Sequence, residues 1–143
     1  MRSETSVKSP LNESFDFFAN AENLDLITPS WLHFKMITSP PIEMSNGSQI
    51  KYRLRIHRIP VFWLSEIGSW DPPFRFADRQ VSGPFKYWNH FHHFSDSPSG
   101  GTLITDKVEY RVPFGKLVHS SFVGKDLMKI FEYRNQQVDK MLS

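Results

Sequence analysis

The sequence contains no cysteine. Disulfides, thiolate zinc sites and cysteine nucleophiles are thereby excluded, and any metal would have to be held by His, Asp or Glu. No stretch approaches the roughly 18 uninterrupted apolar residues of a membrane-spanning helix. The opening "MRSETSVKSP" also lacks the basic-then-apolar order of a secretory signal. Glycine is scarce, with 7 in 143 residues, and none sits in a strand-to-helix phosphate loop. No Ser-His-Asp order, paired catalytic glutamates or nucleotide fingerprint is present, which argues against hydrolase and kinase chemistry. The net charge is only +2, and the 17 basic residues are scattered rather than gathered, so charge indicates no nucleic-acid partner. These absences describe a cytoplasmic protein without stable membrane insertion.

Aromatic residues are plentiful: 13 Phe and 4 Trp in a short chain must fill or line something. A chain of this length buries about 70% of its unfolded surface and reads as one domain, residues 1–143.

Apolar spacing sets the order of elements. "SETSVK" is β-prone. The stretch "SPLNESFDFFANAENLDLI" reads as two short helices broken at Asn20, with Phe15, Phe18, Leu24 and Ile27 as apolar points. Pro29 forces the preceding residue out of the helical region. A weak strand, "LHFKMI", comes next. Period-two alternation then appears in "SQIKYRLRI", where Ile50, Tyr52, Leu54 and Ile56 share a face, and in "GTLITDKVEYRVP", where Ile104, Val108, Tyr110 and Val112 do. In the latter strand Asp106 falls on the apolar side. Between these two lie "VFWLSEIGSW", "FRFADRQV" and "KYWNHFHHF", separated by short turns, so seven strands form a curved antiparallel sheet.

The last segment reads as a helix over 121–142. Val123, Leu127, Ile130, Phe131, Val138 and Met141 make its apolar stripe, and Arg134 projects from the middle of it. The class is α+β, with the sheet wrapped around this long helix and a pocket between them.

The segments "GPFKYWNHFHHF", "TLITDKVEYRVPFG" and "LMKIFEYR", in this order of elements, resemble the START-like superfamily, also called SRPBCC or the Bet v 1-like helix-grip fold. The pattern Trp88, His90, His92, Phe94 is similar to that of small bacterial members. The resemblance covers essentially the whole chain and implies the helix-grip architecture. It leaves open whether the protein is a carrier, a receptor or a polyketide aromatase/cyclase.

It also implies that the even-numbered residues of 87–94 face inward, since alternation alone fits either face. With that parity, a turn placing His92 opposite Asp106 keeps both strands in step, and a similar turn sets His90 opposite Asp78 near Phe76 and Gln80. Each histidine then has a carboxylate neighbour, an arrangement that satisfies buried polar groups or serves acid/base chemistry. His90 and His92 are about 7 Å apart along one strand, too far to converge on one ion, so no metal or other cofactor is expected. Arg134 either holds an anionic ligand group, pairs internally with Asp106, Asp78 or Glu66, or buries its apolar stem while its head reaches solvent. Trp63, Trp70, Trp88, Tyr52, Tyr110, Phe62, Phe74 and Phe76 are candidates for an aromatic box.

The reading is a binder of a small hydrophobic ligand (lipid, quinone or polyketide-like), with Trp88, His90, His92, Asp106, Tyr110, Arg134, Tyr52 and Phe76 as ligand contacts. The alternative is a cyclase-like enzyme using a His/Asp pair and Arg134. The protein is expected as a monomer or homodimer. Lys51, Arg53, Arg55, Arg75, Arg79 and Lys107 form an outward basic face that fits transient membrane contact or plain solvation.

Overall fold

In the computed structural model, backbone is described for residues 1–113 and 120–143, and side chains for all residues outside 114–123. Strand β1 (Arg2–Val7) leads into helix α1 (Leu11–Ala19), and two 3₁₀ segments follow, Ala21–Ile27 and Ser30–Leu32. Six strands come next: β2 (Lys35–Met36), β3 (Gln49–Ile56), β4 (Ile59–Asp71), β5 (Arg75–Ser82), β6 (Tyr87–Asp96) and β7 (Thr102–Arg111). Helix α2 (Ser120–Leu142) closes the chain.

The seven strands form one antiparallel sheet in the order β1-β7-β6-β5-β4-β3-β2. Two register shifts interrupt the β4–β5 pairing, at Leu64/Ser65 and at Gly68/Asp71. An extra residue in one strand bends it and increases its twist, so these shifts curve the sheet around α2.

Several expected elements are altered. The second short helix is 3₁₀ rather than α, because Asn20 takes an extended conformation and its side chain accepts from Glu22 N, restarting the chain in a tighter turn. The strand read over "LHFKMI" shrinks to Lys35–Met36, since Leu32 already belongs to a 3₁₀ turn. On α2 the buried stripe is Leu127, Phe131, Arg134, Val138 and Leu142. Met141 is exposed, displaced by Leu142, which continues the four-residue spacing from Val138. Val123 lies outside the described side chains.

The last turn of α2 is tied down. Ser9 donates from both its backbone N (2.8 Å) and its Oγ (2.6 Å) to the Leu142 carbonyl, satisfying an otherwise free acceptor at the helix end. Thr102 Oγ1 donates to the Ser9 carbonyl at 2.8 Å, linking that anchor to β7. Gly101 adopts φ +78° beside it, and a Cβ there would strike the Val7 carbonyl, so only glycine allows this approach. The β6–β7 turn that Gly101 completes fixes the register through the histidine segment.

Candidate functional site

That register brings the site together. His92 lies opposite Asp106 across β6–β7, and His90 lies opposite Asp78 across β5–β6. The even parity holds along β6: Trp88, His90, His92 and Phe94 are buried, whereas Tyr87 and His93 are exposed.

The hydrogen bonds run diagonally across that register. His90 Nε2 donates to Asp106 Oδ1 at 2.8 Å and His92 Nε2 to Asp78 Oδ2 at 2.7 Å. Diagonal neighbours on one face of a sheet are within reach of long or ring side chains, and here the two imidazoles lean together until their centroids are 3.8 Å apart. Arg134 completes the cluster from α2, its Nη2 donating to Asp106 Oδ1 at 3.3 Å and to His92 Nδ1 at 3.4 Å. Its guanidinium lies over the rings of Phe18 (5.1 Å) and Phe131 (5.5 Å), two cation–π contacts. Of the three carboxylates read as partners for Arg134, Asp106 is the one it bonds. Glu66 points outward instead and pairs with Arg79 at 2.8 Å.

Burial and charge compete in this cluster. Desolvation would raise the Asp106 carboxyl, but Arg134, the His90 bond and the histidine charges outweigh it and hold the group well below the usual carboxylate range. Asp78 is lowered in the same way, with burial opposed by the His92 hydrogen bond and by the charges of His90, His92 and Arg134. His92 goes down, to about 4, because burial and the charge on His90 overcome the help of the two aspartates. A neutral His92 with its proton on Nε2 fits both of its bonds, leaving Nδ1 to accept from Arg134. Burial, then the charge of Asp78, push the Tyr52 phenol far above its ordinary value, so it stays protonated, 3.4 Å from Ser65 Oγ.

Beside the cluster, between sheet and α2, is a cavity of about 570 Å³, inside the roughly 300–1,000 Å³ span of small-molecule pockets. Tyr52, Phe76, Trp88, His90, His92 and Arg134 line it. Two other sequence candidates do not: Asp106 sits behind His90 and Arg134, and Tyr110 packs on Phe85 and Trp88. From the aromatic set Trp63 lines the cavity, while Phe62 (58% exposed), on the opposite parity of β4, and Phe74 (53%), in the turn between β4 and β5, face solvent. Trp70 packs against Phe15 and Phe76 outside the lining.

Sequence reasoning missed Ser65, a buried lining residue with the same parity as Trp63 and Ile67, which was the available signal. It also missed the exposed mouth, where His57 Nε2 meets Asp126 Oδ2 at 2.7 Å. Those two residues are far apart in the chain and carry no periodic signal.

The expected 7 Å separation of the histidines is also corrected. With the rings tilted together, Asp78, His90 and His92 each present a ligand atom within 4.8 Å of the others. Metal binding needs lone pairs aimed at one point. Rings only 26° from parallel aim theirs side by side, and both Nε2 atoms donate to carboxylates.

Residues 7–137 match the model of a family described as polyketide cyclase/dehydrase and lipid transport. The chain belongs to that family. No curated protein matches this family member. Among solved structures, a START superfamily protein from Mycobacterium smegmatis superposes with a TM-score of 0.67 at 11% identity, covering 99% of this chain and 97% of that one. The major latex-like protein 151 of Panax ginseng gives 0.73 at 14% identity, covering 100% and 96%. A nucleoside-diphosphate sugar epimerase from Corynebacterium glutamicum gives 0.71 at 22% identity, covering 98% of this chain but only 28% of that protein's length. These likenesses establish the Bet v 1/START-like helix-grip fold, and the family supports a fold built to bind hydrophobic ligands. Among the described residues no helix is long and apolar enough to cross a membrane.

Proposed function

We propose that this family member binds one small hydrophobic ligand in the cavity between the sheet and α2. The supporting observation is a 570 Å³ cavity with aromatic and aliphatic walls, bounded on one side by a buried His–Asp–Arg cluster. Buried ligand surface contributes on the order of 25 cal/mol per Å² before the costs of association. Polar groups at the wall orient what the apolar walls retain. Titration with the neutral fluorophore phenylnaphthylamine tests this: saturable one-to-one binding is expected. The cavity-filling variant Ser65→Phe should weaken it by roughly tenfold or more while unfolding cooperatively. Binding unaffected by that substitution would refute the reading.

The buried His–Asp pairs also favour a second reading, a cyclase-like enzyme in which a histidine moves protons and Arg134 stabilises an enolate oxygen. It fits less well. His92 has both nitrogens engaged and a pKa near 4, far from the operating range of a general base. Turnover of a poly-β-keto substrate, abolished by His92→Ala in a folded variant, would replace the first reading with this one.

A further inference from the structure

The members of the polar cluster differ in how much of each side chain the cavity exposes. Those of Asp106, His90, His92 and Arg134 are no more than 8% exposed, whereas that of Asp78 is 20% exposed. Asp78 shares the inward parity of Phe76 on β5 and lines the cavity, so its accessible surface belongs to the cavity wall. Among the described residues its one hydrogen-bond donor is His92, on Oδ2, and His90 Nδ1 stands 3.8 Å from that same oxygen. Oδ1 accepts from none of them.

Burial would raise the Asp78 carboxyl, but the His92 bond and the charges of His90, His92 and Arg134 hold it below its ordinary range, so it is ionised at neutral pH. Much of the wall around it is apolar: Ile67 faces it across β4–β5, and Phe76, two residues earlier on the same face, stacks on His92 at 4.2 Å. The Tyr52 and Ser65 hydroxyls also line the cavity, but their contact is with each other, at 3.4 Å. An apolar ligand that fills the cavity withdraws Oδ1 from water, and stripping an ionised carboxylate of its hydrogen bonds is costly. A proton donor on the ligand offsets that cost, whereas an ether oxygen sets its lone pairs against those of the carboxylate. Arg134 already places a cation within electrostatic reach of Asp78, so the missing element is a neutral donor.

We infer that Asp78 Oδ1 accepts a hydrogen bond from the ligand, and that the cavity therefore selects apolar molecules bearing a hydroxyl group over those whose oxygen carries no proton. The inference rests on the ligand-binding reading above and adds the class of ligand. The isomers undecyl alcohol and decyl methyl ether test it, since they share one composition and differ in whether the oxygen bears a proton. In displacement of phenylnaphthylamine at neutral pH, each below its aggregation limit, the alcohol is expected to bind at least ~10-fold more tightly, the size of a hydrogen bond to a charged group. Transfer out of water alone favours the ether, the less polar of the two. In Asp78→Asn the His92 proton holds the amide carbonyl and the amide N–H group turns to the cavity, so the preference for the alcohol should fall to within ~3-fold. An ether that binds as tightly as the alcohol, or a folded Asp78→Asn with the preference unchanged, overturns the inference and leaves the cavity reading intact. A probe that binds saturably but is displaced by neither isomer does the same, and a probe that does not bind overturns both. If Asp78→Asn does not fold, the wild-type comparison of the isomers decides alone.

Discussion

The space between sheet and α2 is filled at one end and open at the other. At the filled end α1 inserts Phe15 and Phe18 against Phe76 and Phe94, with Ile104 and Val138 completing a core of nearly inaccessible side chains. At the open end Trp63, Trp88, Val108, Leu127 and Phe131 form a second cluster, and Trp63 and Trp88 stand edge to face at 5.1 Å. Both ends are apolar and aromatic. The difference lies in α1: Phe15 fills the gap against Phe76 and Phe94, whereas Phe17 and Phe18 line the cavity together with Phe76. The polar cluster stands at the junction, since Arg134 contacts Phe18 of the first cluster and Phe131 of the second.

The sharpest way to break this contrast is to remove a filling side chain. Phe15→Ala should cost about 3–5 kcal/mol in chemical denaturation, the range for deleting a buried phenyl ring, whereas truncating a cavity-lining side chain should cost less because part of its surroundings is already empty. Arg134→Leu should be nearly as damaging, about 3–5 kcal/mol, because it strips the guanidinium from Asp106, which is 2% exposed. If Arg134→Leu is neutral by denaturation, the junction is not a coupled unit.

Acidification sharpens the contrast. The folded pKa of His92, about 4, lies below its ordinary value near 6.5, so between those values the unfolded chain binds more protons and stability falls as pH is lowered. Asp78 and Asp106 are also depressed in the fold, so their contribution is lost on further acidification, below about pH 4. Both effects have the same sign. The unfolding free energy should therefore decline from about pH 6.5 downward, by a few kcal/mol in total. His92→Gln should remove the upper part of that decline and leave the part below pH 4. A flat profile between 4 and 6.5 in the wild type would contradict the buried, neutral state of His92.

The smallest effect belongs to the outer face. Phe62→Ser and Phe74→Ser should change stability by no more than about 0.5 kcal/mol and leave phenylnaphthylamine binding unchanged, because both rings lie on the solvent side.

Much of this architecture is legible from alternation. The parity of β3 and β7 follows from runs in which apolar and charged residues strictly alternate, and Arg134 is conspicuous because a charge interrupts the stripe on α2. Parity in β6 is not legible that way, because both faces of "YWNHFHHF" carry aromatic rings. It came from the family likeness and from the turn ending at Gly101. The diagonal bonding of the histidines depends on side-chain lean, which spacing does not encode. Phe62 and Phe74 were misplaced because hydrophobicity alone does not separate a cavity wall from an exposed ring. The mouth residues His57 and Asp126 join elements that only the tertiary fold brings together.

The most direct test compares two indoles. Trp63 belongs to the open end and Trp70 to the filled one, and their N–H resonances can be assigned with Trp63→Phe and Trp70→Phe. On titration with phenylnaphthylamine the Trp63 indole proton should shift and saturate, because Trp63 lines the cavity, while that of Trp70, outside the lining, stays in place. A Trp63 resonance that does not respond to a ligand shown to bind would contradict the account.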